Sequence, residues 1–266
     1  MMNDNIYEKN RKAWNEAVRY HKIGRKYNLV DLINQGLVLD SIEDKMLKSN
    51  NLYNKSICQL CCNNGRELIA IKNKYDTRRT VGFDFSDEAI KEANELKNYF
   101  DCDVEFYRCN VFDIDKKFFN NFDYIYITVG TLNWIENLKD FFSLVYNLLD
   151  NNGILMIYEL HPITRIFPAL NSKEYLNGKS KEILYDYFDE SIDKYYDGLD
   201  YIGKKRYNSV EIIEYNHTLS NVINSIIQSQ LRIVEFNEYK NDISSVYEHL
   251  QELEKLPLSY SIIAKK

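Results

Sequence analysis

Two spacings of apolar residues alternate along the chain, and they predict its elements. Over residues 6–20, Ile6, Ala13, Trp14, Ala17 and Val18 recur at intervals of three, four and seven, the stripe of an amphipathic helix. A second helical pattern covers 29–47. From residue 56, short apolar runs take over: SICQLCC at 56–62, TVGFDF at 80–85, VEFYRC at 104–109, FDYIYITVG at 122–130 and ILMIYEL at 154–160. They are strand-sized and largely unalternating, as strands buried on both faces are. Helical stretches separate them, at 66–75, at 138–149, and from an N-cap at Ser86 to residue 99. NNG at 151–153 reads as the turn into the fifth strand. Strands alternating with helices at this pitch predict an α/β fold around a doubly wound, mostly parallel sheet.

After Glu159 the alternation lapses. Residues 162–215 are rich in Tyr, Asp and Lys and keep no period. They are too many for a bare loop in a compact domain, so an inserted cap with strands of its own is expected. The pattern resumes with a helix capped near Thr218 or Ser220, a strand at 231–239 and a last strand within 256–266. The organisation expected is one domain over 1–266. It has N-terminal helices at 1–50, a core at 56–160, the cap at 162–215, and a closing helix and strand pair at 216–266.

Composition narrows the functional classes. Charged residues make up 28% and hydrophobic ones 45%, the balance of an ordinary globular chain. The net charge of −6 carries no basic footprint, so no nucleic-acid partner is expected. No apolar run approaches the roughly 18 residues a membrane helix needs, and none is expected. The start, MMNDNIYEKNRK, lacks the apolar core of a signal peptide, which points to a reducing, cytoplasmic compartment. The five cysteines are then expected as thiols. Cys58 and Cys61 form a C-x-x-C, but no second pair or spaced histidines accompany it, so no metal is expected.

In an open parallel sheet, ligands bind beyond the carboxyl ends of the strands. Cys61, Cys62, Asn63, Asn64 and Gly65 follow the first strand, and Asp84 and Phe85 end the second. Asn110, Val111 and Phe112 follow the third, and Thr128, Val129 and Gly130 end the fourth. Gly65 is expected to let the backbone approach a ligand with no Cβ between them. Asp84 lies 19 residues beyond it, close to the spacing of an acid that accepts ribose hydroxyls. Asn110 suits the edge of an adenine, with Phe85 and Val111 against its faces. A nucleoside ligand across the strand ends is the expectation.

With these residues in place, the chain resembles the class I S-adenosylmethionine-dependent methyltransferases. Their first motif has the form E/D-x-G-x-G-x-G; here it reads Gln59-x-Cys61-x-Asn63-x-Gly65. A small-molecule subgroup has an altered form like LHLQCNNGQE, to which ICQLCCNNGRE is similar. The likeness extends to NRKAWNEAVRYH, GFDFSDEAI, YELHP, NHTLSNVINSII and LPLSYSIIAKK, and so spans nearly the whole chain. It implies seven strands in the order 3-2-1-4-5-7-6, with the last antiparallel. The implied cofactor is S-adenosylmethionine and the implied partner a small-molecule methyl acceptor. Cys61, Asn63 and Gly65 would line the methionine part, Asp84 the ribose and Asn110 the adenine. Thr128 and Val129 would pass under the methionine, and Trp14 would lie in a helical lid. His161 and His217, at the two ends of the insert, are candidate proton acceptors. Two other readings remain open. One is a cofactor-binding relative with little or no turnover; the other is a nicotinamide oxidoreductase, which would want G-x-G-x-x-G after the first strand.

Overall fold

The computed structural model describes residues 4–25 and 28–266. The N-terminal region folds as α1 (Asp4–Gly24), α2 (Leu29–Asn34) and α3 (Ser41–Ser49). The stretch read as one helix over 29–47 is thus two. Gly36 breaks it at φ +67°, and Asp40 restarts it with a capping box, its carboxylate accepting from the Ile42 and Glu43 N–H groups. β1 (Ser56–Leu60), α4 (Arg66–Tyr75), β2 (Arg79–Asp84), α5 (Asp87–Phe100), β3 (Glu105–Arg108), β4 (Phe122–Thr128), α6 (Leu138–Leu148) and β5 (Leu149–Leu160) then alternate. Ser86 caps α5 by accepting from the Ala89 N–H at 3.2 Å. β5 begins earlier than expected, because Leu149 pairs with Phe122 before the register shifts and Asn152 turns the chain at φ +63°.

The insert carries a two-stranded antiparallel sheet, β6 (Ile192–Tyr195) with β7 (Ile212–Tyr215). α7 (Leu219–Gln228), β8 (Arg232–Tyr239) and β9 (Ser259–Lys265) close the chain. The main sheet has seven strands in the order β3-β2-β1-β4-β5-β9-β8, with β9 antiparallel to both its neighbours. Counting only its own strands, that is the order 3-2-1-4-5-7-6.

Adjacent residues of the central strands serve opposite layers, as the period of two requires. Ile125 and Ile127 of β4 join Phe141, Phe142 and Val145 of α6 and Val222 and Ile226 of α7 in one core. Tyr124 and Tyr126 face the other way, onto Met46 and Leu47 of α3 and Ile71 of α4. Each such buried side chain contributes roughly 1.5–3 kcal/mol. The sheet is therefore fixed from both faces, and the loops at its carboxyl ends leave a rigid base. Among the described residues, no helix is long and apolar enough to cross a membrane.

Candidate functional site

A cavity of about 1050 Å³ opens over the carboxyl ends of β1, β2 and β4. Its floor is the set of loops expected from the sequence. Cys61, Asn63, Asp84, Phe85, Asn110, Val111, Thr128 and Val129 all line it, and Trp14 of α1 lines it from above. The loop after β1 is held by handedness. Cys61, Asn63 and Gly65 have φ of +56°, +48° and +68°, the region that favours glycine. Three alternate residues thus turn left-handed although only one is glycine.

Asp84 ties this loop to the next helix. One carboxylate oxygen accepts from the Asn63 N–H at 2.8 Å, the other from the Ser86 N–H at 2.8 Å. Burial pushes its carboxyl up to about 6, against the pull of those N–H groups. Asn110 accepts from the Phe112 N–H at 3.2 Å and so turns the chain after β3. Thr128 accepts from the Gln59 side-chain amide at 3.1 Å. The loop after β4 is held by Glu159 of β5, a buried carboxylate accepting from Gly130, Thr131 and Leu132 N–H groups at 2.6, 3.0 and 3.4 Å. Burial pushes that carboxyl up to about 7.

Three expected site residues lie outside the cavity wall. A Cβ on Gly65 would stand 2.3 Å from the Phe106 ring and 3.2 Å from the Ala93 side chain. Its lack of a Cβ is thus required by the packing of α4 on β3 and α5. Phe112 turns into the core, edge-on to Phe141 at 6.5 Å. His161 is buried on the far side of β5, where Nε2 donates to Glu238 of β8 at 3.1 Å and Nδ1 accepts from the Ile163 N–H at 3.0 Å. Both nitrogens are engaged, and the ring stands apart from the cavity wall. His217 does line the cavity. Its Nε2 donates to the Ile135 carbonyl at 2.7 Å, which leaves Nδ1 as an acceptor, and burial holds the ring below the usual imidazole value.

The roof was less legible. Trp134, in the turn after β4, meets Trp14 edge-to-face at 5.4 Å. Asn10 of α1 clasps β7, its amide donating to the Ile213 carbonyl at 2.8 Å and accepting from the Ile213 N–H at 2.9 Å. Tyr20 stacks on Tyr207 at 3.8 Å, and His21 donates to the Leu199 carbonyl at 2.7 Å. Arg165 bridges Asp193 at 2.7 Å and Glu214 at 3.4 Å, joining the start of the insert to its hairpin. Arg66 and Glu67, in the first turn of α4, also line the wall and went unread, because a charged pair opening a helix looks like solvent-facing surface. Burial pushes the Cys58, Cys61 and Cys62 thiols up, so they stay protonated. No three His, Cys, Asp or Glu side chains gather to hold a metal among the described residues.

Comparison with known proteins bears on this geometry. A family profile described as a methyltransferase domain matches residues 52–197, more than half of the chain. An uncharacterised protein of Rickettsia prowazekii is 35% identical over 119 residues, which are 42% of this chain; the chain spans only 20% of that relative's length. An S-adenosylmethionine-dependent methyltransferase from Mesorhizobium loti superposes with a TM-score of 0.63 at 17% identity, over 84% of this chain and 96% of its own. One from Clostridium acetobutylicum superposes with a TM-score of 0.58 at 16% identity, over 84% and 88%. At those identities the likeness is one of fold.

Proposed function

The chain belongs to the methyltransferase domain family, and from that premise we propose that it transfers the methyl group of S-adenosylmethionine to a small-molecule acceptor. Asp84 carries the reading. Each of its oxygens already accepts one backbone N–H and keeps lone-pair capacity for a ribose hydroxyl, and it lines the cavity. The cavity is at the upper end of the roughly 300–1000 Å³ usual for one ligand, so a cofactor and an acceptor fit together. Asn110, Phe85 and Val111 then take the adenine. The backbone of Cys61 and Asn63, with Thr128 and Val129, takes the amino-acid part, and Trp14 covers it.

Bound there, the cofactor supplies an already activated methyl on its sulfonium. The chain's own work is to align the acceptor, exclude water and take a proton. His217 suits the last step: its ring is neutral at pH 7 and Nδ1 is the accepting nitrogen. Tyr187, Tyr195 and Tyr215 line the acceptor side with flat apolar rings and polar tips, which favours a planar or amphipathic acceptor. The insert, at 162–215, is thus the substrate wall. We place the protein in a reducing, cytoplasmic setting.

Calorimetry with S-adenosylmethionine, S-adenosylhomocysteine and NAD tests the cofactor, and NAD binding alone overturns it. Metabolite extracts with methyl-labelled cofactor test turnover; cofactor binding with no labelled product makes the chain a binding protein. Replacing the insert by a Gly/Ser linker should leave S-adenosylhomocysteine affinity within about tenfold, ~1.4 kcal/mol, while removing turnover.

A further inference from the structure

Most cations of the cavity wall have their charge answered within the protein. Arg25 forks onto Glu92, with contacts of 2.5 and 2.8 Å. Arg165 is shared by Asp193 and Glu214, Arg206 meets Asp197 at 2.5 Å, and Lys204 meets Glu248 at 2.5 Å. Lys194 and Lys205 stand exposed. Arg66 differs. It uses only Nε, on the neighbouring Glu67 carboxylate at 2.7 Å. Among the described residues nothing engages its two terminal nitrogens, although its side chain is two-thirds withdrawn from solvent. Glu67 is more withdrawn still, and accepts from Arg66 through one oxygen alone.

The Arg66–Glu67 pair therefore presents a planar cationic fork and a carboxylate side by side, held rigid by their mutual bond and by the first turn of α4. It follows directly on the left-handed loop at Cys61–Asn63–Gly65. The strand that feeds this loop carries Gln59 next to its end, a neutral amide that donates to Thr128 and whose buried side-chain oxygen has no partner among the described residues. The floor at that point thus supplies no anion to a cationic ligand group. Glu67 supplies one, a few residues further along the same loop-to-helix turn.

We infer that Arg66 and Glu67 clamp an α-amino-acid zwitterion, Arg66 taking its carboxylate and Glu67 its ammonium, and that this clamp holds the amino-acid end of the cofactor. The inference rests on the cofactor reading above. A guanidinium fork matches a carboxylate in two parallel hydrogen bonds, which an ammonium point charge does not reproduce. The pair is neutral overall, as the zwitterion is, so it selects by the placement of charge and not by its sum. A nucleoside without the amino-acid group gains nothing from it.

The test compares two ligands on intact protein. S-adenosylhomocysteine carries the amino-acid end; 5′-methylthioadenosine keeps the adenosine and lacks it. Calorimetry on the wild type, Arg66→Gln, Arg66→Lys and Glu67→Gln reads both, with circular dichroism confirming the fold. Arg66→Gln should weaken S-adenosylhomocysteine by at least about tenfold and leave 5′-methylthioadenosine within about twofold. Arg66→Lys should fall between, and Glu67→Gln should show the same selectivity with a smaller loss. Equal weakening of both ligands, or unaltered S-adenosylhomocysteine binding in Arg66→Gln, overturns the clamp while leaving the cofactor reading in place. A wild type that binds neither ligand overturns both.

Discussion

The floor of the cavity is made of strand ends, whose ladder of backbone bonds runs through β2, β1, β4 and β5 between two packed cores. The roof is made of α1 and the insert, which meet through side chains of α1: Asn10 on the Ile213 backbone, Tyr20 on the Tyr207 ring, His21 on the Leu199 carbonyl. α1 is fastened to α5 by exposed pairs, Arg19 with Glu88 and Lys22 with Glu95, each at 3.0 Å, and also by Asn15, which accepts from the Ser86 hydroxyl at 2.7 Å, while just beyond α1 Arg25 forks onto Glu92 away from solvent. Exposed pairs of that kind contribute about 0–1 kcal/mol. The floor is therefore fixed by its own backbone ladder and cores, while the roof is joined to it, and α1 to the insert, through side-chain contacts. On the proposed function, the cofactor, which must be kept constant, lies on the floor, and the acceptor, which varies, lies under the roof.

The contrast can be broken hardest at Gly65. A Cβ there would meet the Phe106 ring at 2.3 Å, at a φ of +68°. Gly65→Val should lose roughly 3 kcal/mol or more of stability, the sum of overpacking and left-handed strain. Urea unfolding reads this, and an unshifted midpoint would remove the packing explanation. Next is Asp84→Ala, which should weaken S-adenosylhomocysteine by about 1.5–3 kcal/mol, the scale for hydrogen bonds to a charged group. Wild-type affinity in a folded variant would take Asp84 out of the ribose site.

Asn10→Ala tests the roof. It leaves the Ile213 N–H and carbonyl without their buried partner, a loss of about 1–2 kcal/mol. Hydrogen exchange should quicken in α1 and β7 and stay unchanged in β1 and β4. Acceleration across the sheet would mean that floor and roof unfold together. A separate test of the packing beneath the sheet is a pH dependence at Glu43 of α3, buried beneath Tyr126, whose hydroxyl donates to it. Burial pushes its carboxyl up to about 8, above an unfolded value near 4.5. Its contribution is complete below the unfolded value and is lost as pH rises towards 8. Glu43→Gln should therefore match the wild type in Tm at acid pH and gain on it steadily up to about pH 8. Parallel Tm curves would contradict the buried-acid account.

The sheet was legible because its strands are short apolar runs set apart by caps such as Ser86, signals written within a few residues. Asp84, Asn110, Thr128 and Val129 were legible because strand ends are where such folds bind ligands, and all four line the cavity. Gly36 and the Asp40–Glu43 box were there to be read as a helix break, but the apolar spacing across 29–47 masked them. Gly65 was assigned to a ligand because its clash partner, Phe106, lies forty-one residues away. His161 was expected at the rim for a similar reason: its ring bonds Glu238, on a strand distant in sequence that pairs with β9. Strands were expected within the insert, but β6 could not be placed there, because it is largely exposed and carries no apolar alternation. Arg66 and Glu67 escaped because local pattern cannot tell a cavity from bulk water.

The left-handed turn at Cys61 and Asn63 also makes this loop sensitive to which enantiomer stands there. An L residue costs about 1–2 kcal/mol in that region, whereas for its mirror image the same angles are the ordinary right-handed well. A chain ligated chemically with D-alanine at 63 should melt higher than one with L-alanine there. What links this loop to one spelled with three glycines is a stereochemical requirement, and a text search for glycine would pass over it.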